Sequence, residues 1–143
     1  MGSEHDLIGM LFKVAVFFIP FLFSICVHEF AHAWMAKQCG DRTAEHMGRL
    51  TLNPLAHADP IGTVVLPIAA VLLPGEVSRF IFGWAKPVPF DPRELKDKKN
   101  GPFLIALAGP VSNLILAFFG AFAYVLIVNG VMVSELDSDK SNL

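Results

Sequence analysis

The sequence predicts an all-α membrane protein with two transmembrane helices, one broken or re-entrant apolar segment between them, and a small strand element on the cytoplasmic side. High apolar content, low charge and two long apolar runs support this fold class. Of the 143 residues, 54% are hydrophobic and 17% are charged, whereas average soluble domains carry about 25% charged residues. A chain this small cannot bury so much apolar surface away from water. The length predicts a single domain, residues 1–143.

The first predicted span is Leu7–Val27, which supplies 21 residues with Lys13 as the sole charge. About 20 apolar residues are needed to cross the bilayer core as a helix. We expect Lys13 to extend toward the nearer headgroups and Pro20 to bend the helix. A cleaved signal peptide is the alternative, but the run lacks a basic start and a small-residue cleavage site.

The second predicted span is Pro102–Val133, which contains 32 residues and no charge. That length can cross a bilayer with tilt. Gly109, Ser112 and Gly120 are small residues of the kind that allow membrane helices to approach closely.

Between the two spans, Ile61–Leu73 is apolar but contains only 13 residues, with Pro67 inside it and Pro74 directly after it. This length favours a re-entrant or broken segment over an ordinary span. The alternative is a complete crossing by Ile61–Phe82 with tilt.

The positions of the basic residues favour re-entry. If the middle segment re-enters, nine of the eleven basic residues share one side of the membrane: Lys37, Arg42, Arg49, Arg79, Lys86, Arg93, Lys96, Lys98 and Lys99. The positive-inside rule makes that side cytoplasmic. We therefore expect a multi-pass protein of the cell (inner) membrane, in contact with the lipid bilayer. The net charge of −2 gives no basic field for nucleic acid, so no nucleic-acid partner is expected.

The chemistry-bearing motif is His28-Glu29-Phe30-Ala31-His32, at the end of the first apolar run. Two histidines four residues apart share one helix face, so both imidazoles can bind one Zn²⁺. Glu29 can then reach a water on the metal and accept its proton as the water attacks a carbonyl. The structural alternative is a helix end that emerges into the headgroups, where His and Glu are merely hydrated.

Four stretches of the chain resemble the site-2 protease family of intramembrane zinc metalloproteases, and in particular its small bacterial branch. They are HEFAHAWMAKQCGD (28–41), GRLTLNPLAHADPIGT (48–63), FGWAKPVPF (82–90) and ALAGPVSNLILA (106–117). The resemblance implies a membrane-embedded metalloprotease-like domain that hydrolyses peptide bonds within or near the bilayer, often after another protease has trimmed the substrate. It also implies that His28 and His32 are the metal ligands and Glu29 is the catalytic base.

The third ligand of that family is an aspartate in a Leu-Asp-Gly motif, which this sequence lacks. Asp137 follows Leu136, but it lies after the last span, on the opposite side of the membrane from His28. We therefore expect a C-terminally truncated chain, a natural fragment or a degenerate member. Asp59, His57 and His46 are candidate replacements, although Asp59 and His57 lie in a turn-like sequence and could bond to the local backbone instead.

Other polar residues permit two interpretations each. Asn113 could steady the oxyanion of the tetrahedral intermediate or form an interhelical hydrogen bond, and Asn53 precedes Pro54 at a predicted turn. Arg49–Leu52 and Lys86–Phe90 are both predicted to be extended, and an exposed edge there could pair with an unfolded substrate.

The leading functional prediction is an intramembrane zinc metalloendopeptidase that acts on membrane-spanning protein substrates. The first alternative is a catalytically inactive relative that binds transmembrane segments or partner proteins, which the absent third ligand favours. A membrane metal-binding or transport protein is the second alternative, but it does not explain the position of Glu29. The sequence leaves a homo-oligomer and the identity of the substrate open.

Overall fold

A computed structural model describes residues 2–73 and 84–140, and the side chains of all of these except 2–7, 71 and 132–140. In these ranges the chain forms five α-helices and one π-helical segment, and no strand. The elements are α1 (Gly2–Gln38), α2 (Thr43–His46), α3 (Pro54–His57), the π-helical segment (Pro60–Val65), α4 (Leu66–Leu72) and α5 (Gly101–Lys140).

Helices α1 and α5 confirm the prediction of two long apolar helices. Ile8–Gln38 and Gly101–Val131 each supply 31 residues that are long and apolar enough to cross a membrane. Only 6% and 0% of their most apolar windows are buried within the protein. The core helix of a soluble protein would be mostly buried, so these exposed apolar surfaces indicate a membrane protein. Helix α1 continues through Pro20 and beyond Val27 to Gln38, so the histidine motif lies inside a helix.

The two long helices pack against each other in antiparallel orientation. Ser24 of α1 contacts Asn113 of α5, and His32, two turns further along α1, contacts Ile105, two turns earlier on α5. Ala36, Leu95 and Ile105 form a buried cluster near the start of α5. The pairing therefore places the end of α1 next to the start of α5.

The predicted middle segment begins with the π-helical segment and continues as α4. The carboxylate of Asp59 caps it, accepting hydrogen bonds from the backbone N–H groups of Ile61 (3.0 Å) and Gly62 (2.7 Å). Pro60 occupies the first helical position, where its missing N–H costs nothing. Part of Ile61–Phe82 lies outside the described residues, so the choice between crossing and re-entry stays a prediction.

The predicted strand element is not confirmed. Between Trp84 and Phe90, backbone N–H groups of alternate residues form hydrogen bonds with earlier parts of the chain. Trp84 donates to the Gly62 carbonyl, and Lys86 donates to the His57 carbonyl. Alternation is typical of extended chain. The acceptors, however, belong to α3 and the π-helical segment, so no ladder between strands can form.

Arg49–Leu52, the other predicted extended stretch, is also held by side-chain contacts. The buried guanidinium of Arg49 donates to the Ala56 carbonyl, and the Thr51 carbonyl accepts from Nε2 of His57 at 2.8 Å. Both contacts fold this stretch back onto α3, so its backbone is not paired with a neighbouring strand in the part of the chain that the structure describes.

Candidate metal and catalytic site

His28 and His32 lie side by side on α1 with their Nε2 atoms 3.0 Å apart. Their ring centroids are 4.6 Å apart, and the ring planes are 82° from parallel. Two nitrogen ligands of a tetrahedral zinc at 2.0–2.1 Å would lie about 3.3 Å from each other. The two Nε2 atoms therefore converge to within a few tenths of an ångström of that spacing.

The second ring nitrogen of each histidine contacts α5. Nδ1 of His32 lies 2.6 Å from the Ile105 carbonyl oxygen, and a carbonyl can only accept, so Nδ1 carries the proton and Nε2 keeps its lone pair. Nδ1 of His28 lies 3.1 Å from the carboxamide nitrogen of Asn113, whose oxygen accepts from the Ser24 hydroxyl at 3.2 Å. Such outer contacts orient metal-binding histidines.

Gly109 of α5 lies directly against both rings. A Cβ added there would lie 2.6 Å from Cε1 and Nε2 of His28 and closer still to Nε2 of His32, so any side chain would occupy the space where the two nitrogens meet. The absence of a side chain at this position leaves a cradle over the histidine pair. The donor type, the converging Nε2 atoms and this cradle fit a divalent zinc ion.

Three ligands from the protein are typical of catalytic zinc, and the described side chains supply two. Among them, no group of three His, Cys, Asp or Glu residues could hold a metal. The carboxylate of Asp59 caps the π-helical segment, and His57 is fully buried with Nε2 directed at the Thr51 carbonyl. His46 ends α2 with an exposed side chain. The structure therefore does not bring these three candidates to the histidine pair.

Two further positions can be compared with the sequence predictions. Asp137 lies in α5, 24 residues after Asn113, which corresponds to about 36 Å along a helix. Asp137 is therefore remote from the histidine pair. Asn53 caps α3, with its side-chain oxygen accepting from the Leu55 N–H at 3.1 Å, so the predicted turn is a helix start.

Glu29 is half-buried beside the histidines and faces the segment that precedes α5. Its Oε2 accepts a hydrogen bond from the backbone N–H of Val88 at 3.2 Å. A cleft of about 250 Å³ opens here, lined by Glu29, His32, Pro87, Val88, Phe90, Pro102, Ile105 and Ala106. One histidine and the acid of the motif thus share a mostly apolar cleft that a small part of a peptide chain could enter.

Asp41 fixes the loop before this cleft to the end of α1. Its side chain is 1% exposed, and its carboxylate accepts from the backbone N–H groups of Thr43 and Asp91, both at 2.8 Å. Arg93 donates hydrogen bonds to the Asp91 carboxylate, which lowers the pKa of Asp91 to about 2. These hydrogen bonds therefore anchor the segment around Asp91 to the end of α1.

Sequence reasoning missed Ser24, Gly109 and Val88 as site residues. Ser24 precedes His28 by four residues, so helical spacing could have placed both on one face. The contact of Gly109 with the rings joins residues more than 70 positions apart, and no local signal reports it. Val88 acts through its backbone, and the only available signal was the missing N–H groups of the prolines on both sides of it.

Comparisons with known proteins agree with the resemblance. The model of peptidase family M50 matches residues 16–142. "Putative zinc metalloprotease YwhC" of Bacillus subtilis is 45% identical over 108 residues, which cover 76% of this chain and 44% of that protein. "Regulator of sigma-E protease RseP" of Escherichia coli is 31% identical over 140 residues, which cover 94% of this chain and 31% of that protein.

The chain therefore spans less than half the length of the curated relatives that it matches. No solved structure matches it significantly. Because the family model matches residues 16–142, which include the histidine motif of this chain, the resemblance to site-2 proteases is confirmed, and the chain belongs to peptidase family M50.

Proposed function

We propose that this chain supplies the zinc-binding histidines and the general base of an intramembrane endopeptidase that cleaves membrane-embedded protein segments. The observation that carries the proposal is the convergence of the two Nε2 atoms at 3.0 Å over Gly109. His28 and His32 would hold the zinc through these atoms. An ordinary pair of packed histidines would not need a glycine opposite the point where their lone pairs meet.

Bound zinc would supply Lewis-acid chemistry, lowering the pKa of a water toward 7 and polarising the peptide carbonyl. Glu29 would accept the proton of the attacking water at its carboxylate and return it to the leaving nitrogen. The Val88 N–H bonds Oε2 of Glu29 and leaves Oε1 for this transfer. Pro87 and Phe90 help to exclude bulk water from the cleft.

The substrate class follows from the surroundings of the cleft. The site lies on two helices whose outer surfaces are apolar and exposed, so a scissile bond reaches it from the bilayer more easily than from water. A cleft of about 250 Å³ is smaller than most ligand pockets and suits a few residues of unwound chain. We therefore expect a membrane-spanning substrate that opens locally before hydrolysis.

The proposed orientation places the 39–100 connection in the cytoplasm, because eight of the eleven basic residues lie in it and Lys37 lies just before it, all on one side if the middle segment re-enters. The antiparallel pair puts the start of α1 and the end of α5 on the opposite side. His28 is ten residues from the end of α1, about 15 Å along the helix axis. The site would then lie within the cytoplasmic half of the inner membrane.

A catalytically inactive relative that binds membrane segments is the second candidate. It is favoured by one observation: no third His, Cys, Asp or Glu accompanies the histidine pair among the described side chains. An active enzyme needs a further ligand from outside that set or from another chain. The two candidates predict different zinc contents for the purified protein.

The deciding experiment measures zinc stoichiometry and cleavage of a tagged single-span reporter protein, with the full chain in liposomes. Glu29→Gln should keep zinc and lose cleavage by about 10²- to 10⁴-fold. His32→Ala should lose both, and Glu45→Gln, whose carboxylate binds Lys37 outside the site, is the matched control. Zinc retained in a variant lacking both histidines would overturn the proposal. Absence of zinc from the unaltered chain would favour the inactive relative.

A further inference from the structure

The cleft beside Glu29 has three walls, which come from separate parts of the chain. Glu29 and His32 of α1 form the first wall, and residues of the stretch Pro87–Phe90 form the second. The third wall is one face of α5 that runs from Pro102 to Ala106. The volume of about 250 Å³ lies below the range of about 300–1,000 Å³ for pockets that hold small molecules. The cleft therefore has room for one substrate side chain and the adjoining backbone.

These walls offer few hydrogen bonds to a side chain that enters the cleft. The backbone N–H of Val88 already donates to Oε2 of Glu29 (3.2 Å), and the Ile105 carbonyl lies 2.6 Å from Nδ1 of His32. The prolines on the walls have no N–H group. A polar side chain would therefore lose its hydrogen bonds to water on entry without regaining equivalent partners, which is unfavourable.

The charge on the walls disfavours ionised side chains as well. Among the described residues that line the cleft, Glu29 is the one carboxylate, and none is lysine or arginine. An acidic substrate side chain would be repelled by Glu29. A lysine side chain that paired with Glu29 would occupy the group that is proposed to accept the proton of the attacking water. An apolar side chain meets neither obstacle and gains contact with the apolar walls.

Ala106 and Phe90 limit how large that side chain can be. Ala106 is exposed and is the smallest residue on the walls. Side chains on a helix lean toward its N-terminus, so a larger residue at position 106 would extend over Pro102 into the cleft, away from Gly109 and the histidine pair. Phe90 is the bulkiest residue on the walls and is 39% exposed, so a shorter side chain there would enlarge the cleft.

We propose that the cleft is a specificity site for one apolar side chain next to the scissile bond, and that Ala106 and Phe90 set the largest size it accepts. The site excludes charged side chains and favours side chains up to about the size of leucine. This inference rests on the proposed proteolytic function. Because the site acts on a single substrate residue, its effect appears in the ratio of cleavage rates between reporters that differ at that residue.

The test measures kcat/KM of the full chain in liposomes for single-span reporters in which each residue flanking the mapped scissile bond is alanine, leucine, phenylalanine or lysine. At one flanking position, the unaltered chain should prefer leucine to lysine by about 10- to 100-fold. Ala106→Leu should lower cleavage of the leucine reporter relative to the alanine reporter by about 10- to 200-fold. Phe90→Ala should shift selectivity the opposite way, toward the phenylalanine reporter.

Ala117→Leu is the matched control, because Ala117 is exposed on the same helix about three turns beyond Ala106. It should leave every ratio unchanged. A defect in folding would slow all reporters by the same factor, so an equal loss for all reporters in Ala106→Leu would overturn the proposal. Equal rates for the leucine and lysine reporters at both flanking positions would overturn it as well.

A second measurement does not require hydrolysis. The Glu29→Gln chain is photo-cross-linked to reporters that carry a diazirine analogue of leucine at successive positions of the span, and the cross-linked residues are mapped by mass spectrometry. Cross-links to the walls of the cleft should weaken in Ala106→Leu and persist in Ala117→Leu. Such cross-links without cleavage by the unaltered chain would contradict the proposed function and leave the apolar site established. Cleavage without cross-links at the cleft would overturn the specificity site alone.

Discussion

The backbone N–H of Val88 donates to Oε2 of Glu29 at 3.2 Å and so joins the connection before α5 to the acid of the histidine motif. Val88 stands between Pro87 and Pro89, which have no N–H. It is therefore the only one of these three residues whose backbone can donate. This hydrogen bond fixes one carboxylate oxygen of Glu29 at the wall of the cleft.

Val88→Pro should reduce cleavage by about 10- to 100-fold, because a hydrogen bond to a charged group is worth about 1.5–3 kcal/mol and about 1.4 kcal/mol corresponds to a factor of ten in rate. Three consecutive prolines remain compatible with an extended backbone, so the segment should keep its course. The measurement is cleavage of the reporter protein together with zinc content, which should not change. Val88→Ala keeps the N–H and should retain activity. Equal losses in both variants would show that the Val88 side chain, rather than its N–H, is what matters.

Thr63→Val should loosen the attachment of this connection to the π-helical segment. The fully buried Thr63 hydroxyl donates to the Trp84 carbonyl at 2.7 Å and accepts from the Asp59 N–H at 2.9 Å. Valine leaves both groups unpaired, at a cost of about 2 kcal/mol or more. Thermal unfolding in detergent should show a lower midpoint, whereas Thr63→Ser should stay near the unaltered chain. Similar midpoints for the serine and valine variants would contradict this account.

The two long helices and the shared face of His28 and His32 were predictable because both depend on local sequence: apolar run length and four-residue spacing. The predicted span Leu7–Val27 is shorter than α1, which continues through the histidine motif to Gln38, because the charged residues of the motif end the uninterrupted apolar run and not the helix. Helical spacing identifies which residues share a face. It does not identify what the opposite helix presents to them.

The contacts between α1 and α5 that complete the site could not be predicted, because helical spacing carries no information about the opposite helix. Asn113 was recognised as a polar residue in an apolar helix, but its partner His28 is 85 positions away, and a single sequence carries no signal for such a pair. The prediction that Lys86–Phe90 is extended rested on that stretch alone. The strand element is not confirmed, because the acceptors that the described residues offer this stretch are helix carbonyls and the Glu29 carboxylate rather than another strand.

Arg93→Ala should weaken the protein above about pH 4 by acting on Asp91, and the difference from the unaltered chain should disappear as the pH falls toward 2. The hydrogen bonds from the Arg93 side chain hold the pKa of Asp91 at about 2, below the ordinary 3.8. A lowered pKa in the folded state stabilises the protein above about pH 4, and this contribution is lost as the pH falls toward 2. The variant should move the Asp91 titration, followed by carboxyl-carbon NMR, up toward 3.8. Arg42→Ala removes the partner of Glu45 and should leave the Asp91 titration unchanged. An unchanged Asp91 titration in Arg93→Ala would show that Arg93 does not cause the lowered pKa of Asp91.

Gly109→Ala should disrupt the histidine pair more than any other change of one methyl group on α5. The added Cβ would lie 2.6 Å from Nε2 of His28, so the rings or the helices must move apart, at a cost of about 1–3 kcal/mol. Zinc affinity should fall by at least about tenfold, because the converging Nε2 geometry is lost. Chelator competition and thermal unfolding measure the two effects.

Gly120→Ala is the matched control for this substitution, since nothing lies within 4 Å of a Cβ at that position of the same helix. Alanine also has the higher helix propensity, so this variant should be as stable as the unaltered chain and bind zinc equally well. If Gly109→Ala behaved in the same way, the rings would have to be free to move aside without losing the metal. The cradle over His28 and His32 would then have no part in zinc binding, and the close approach of α5 would serve helix packing alone.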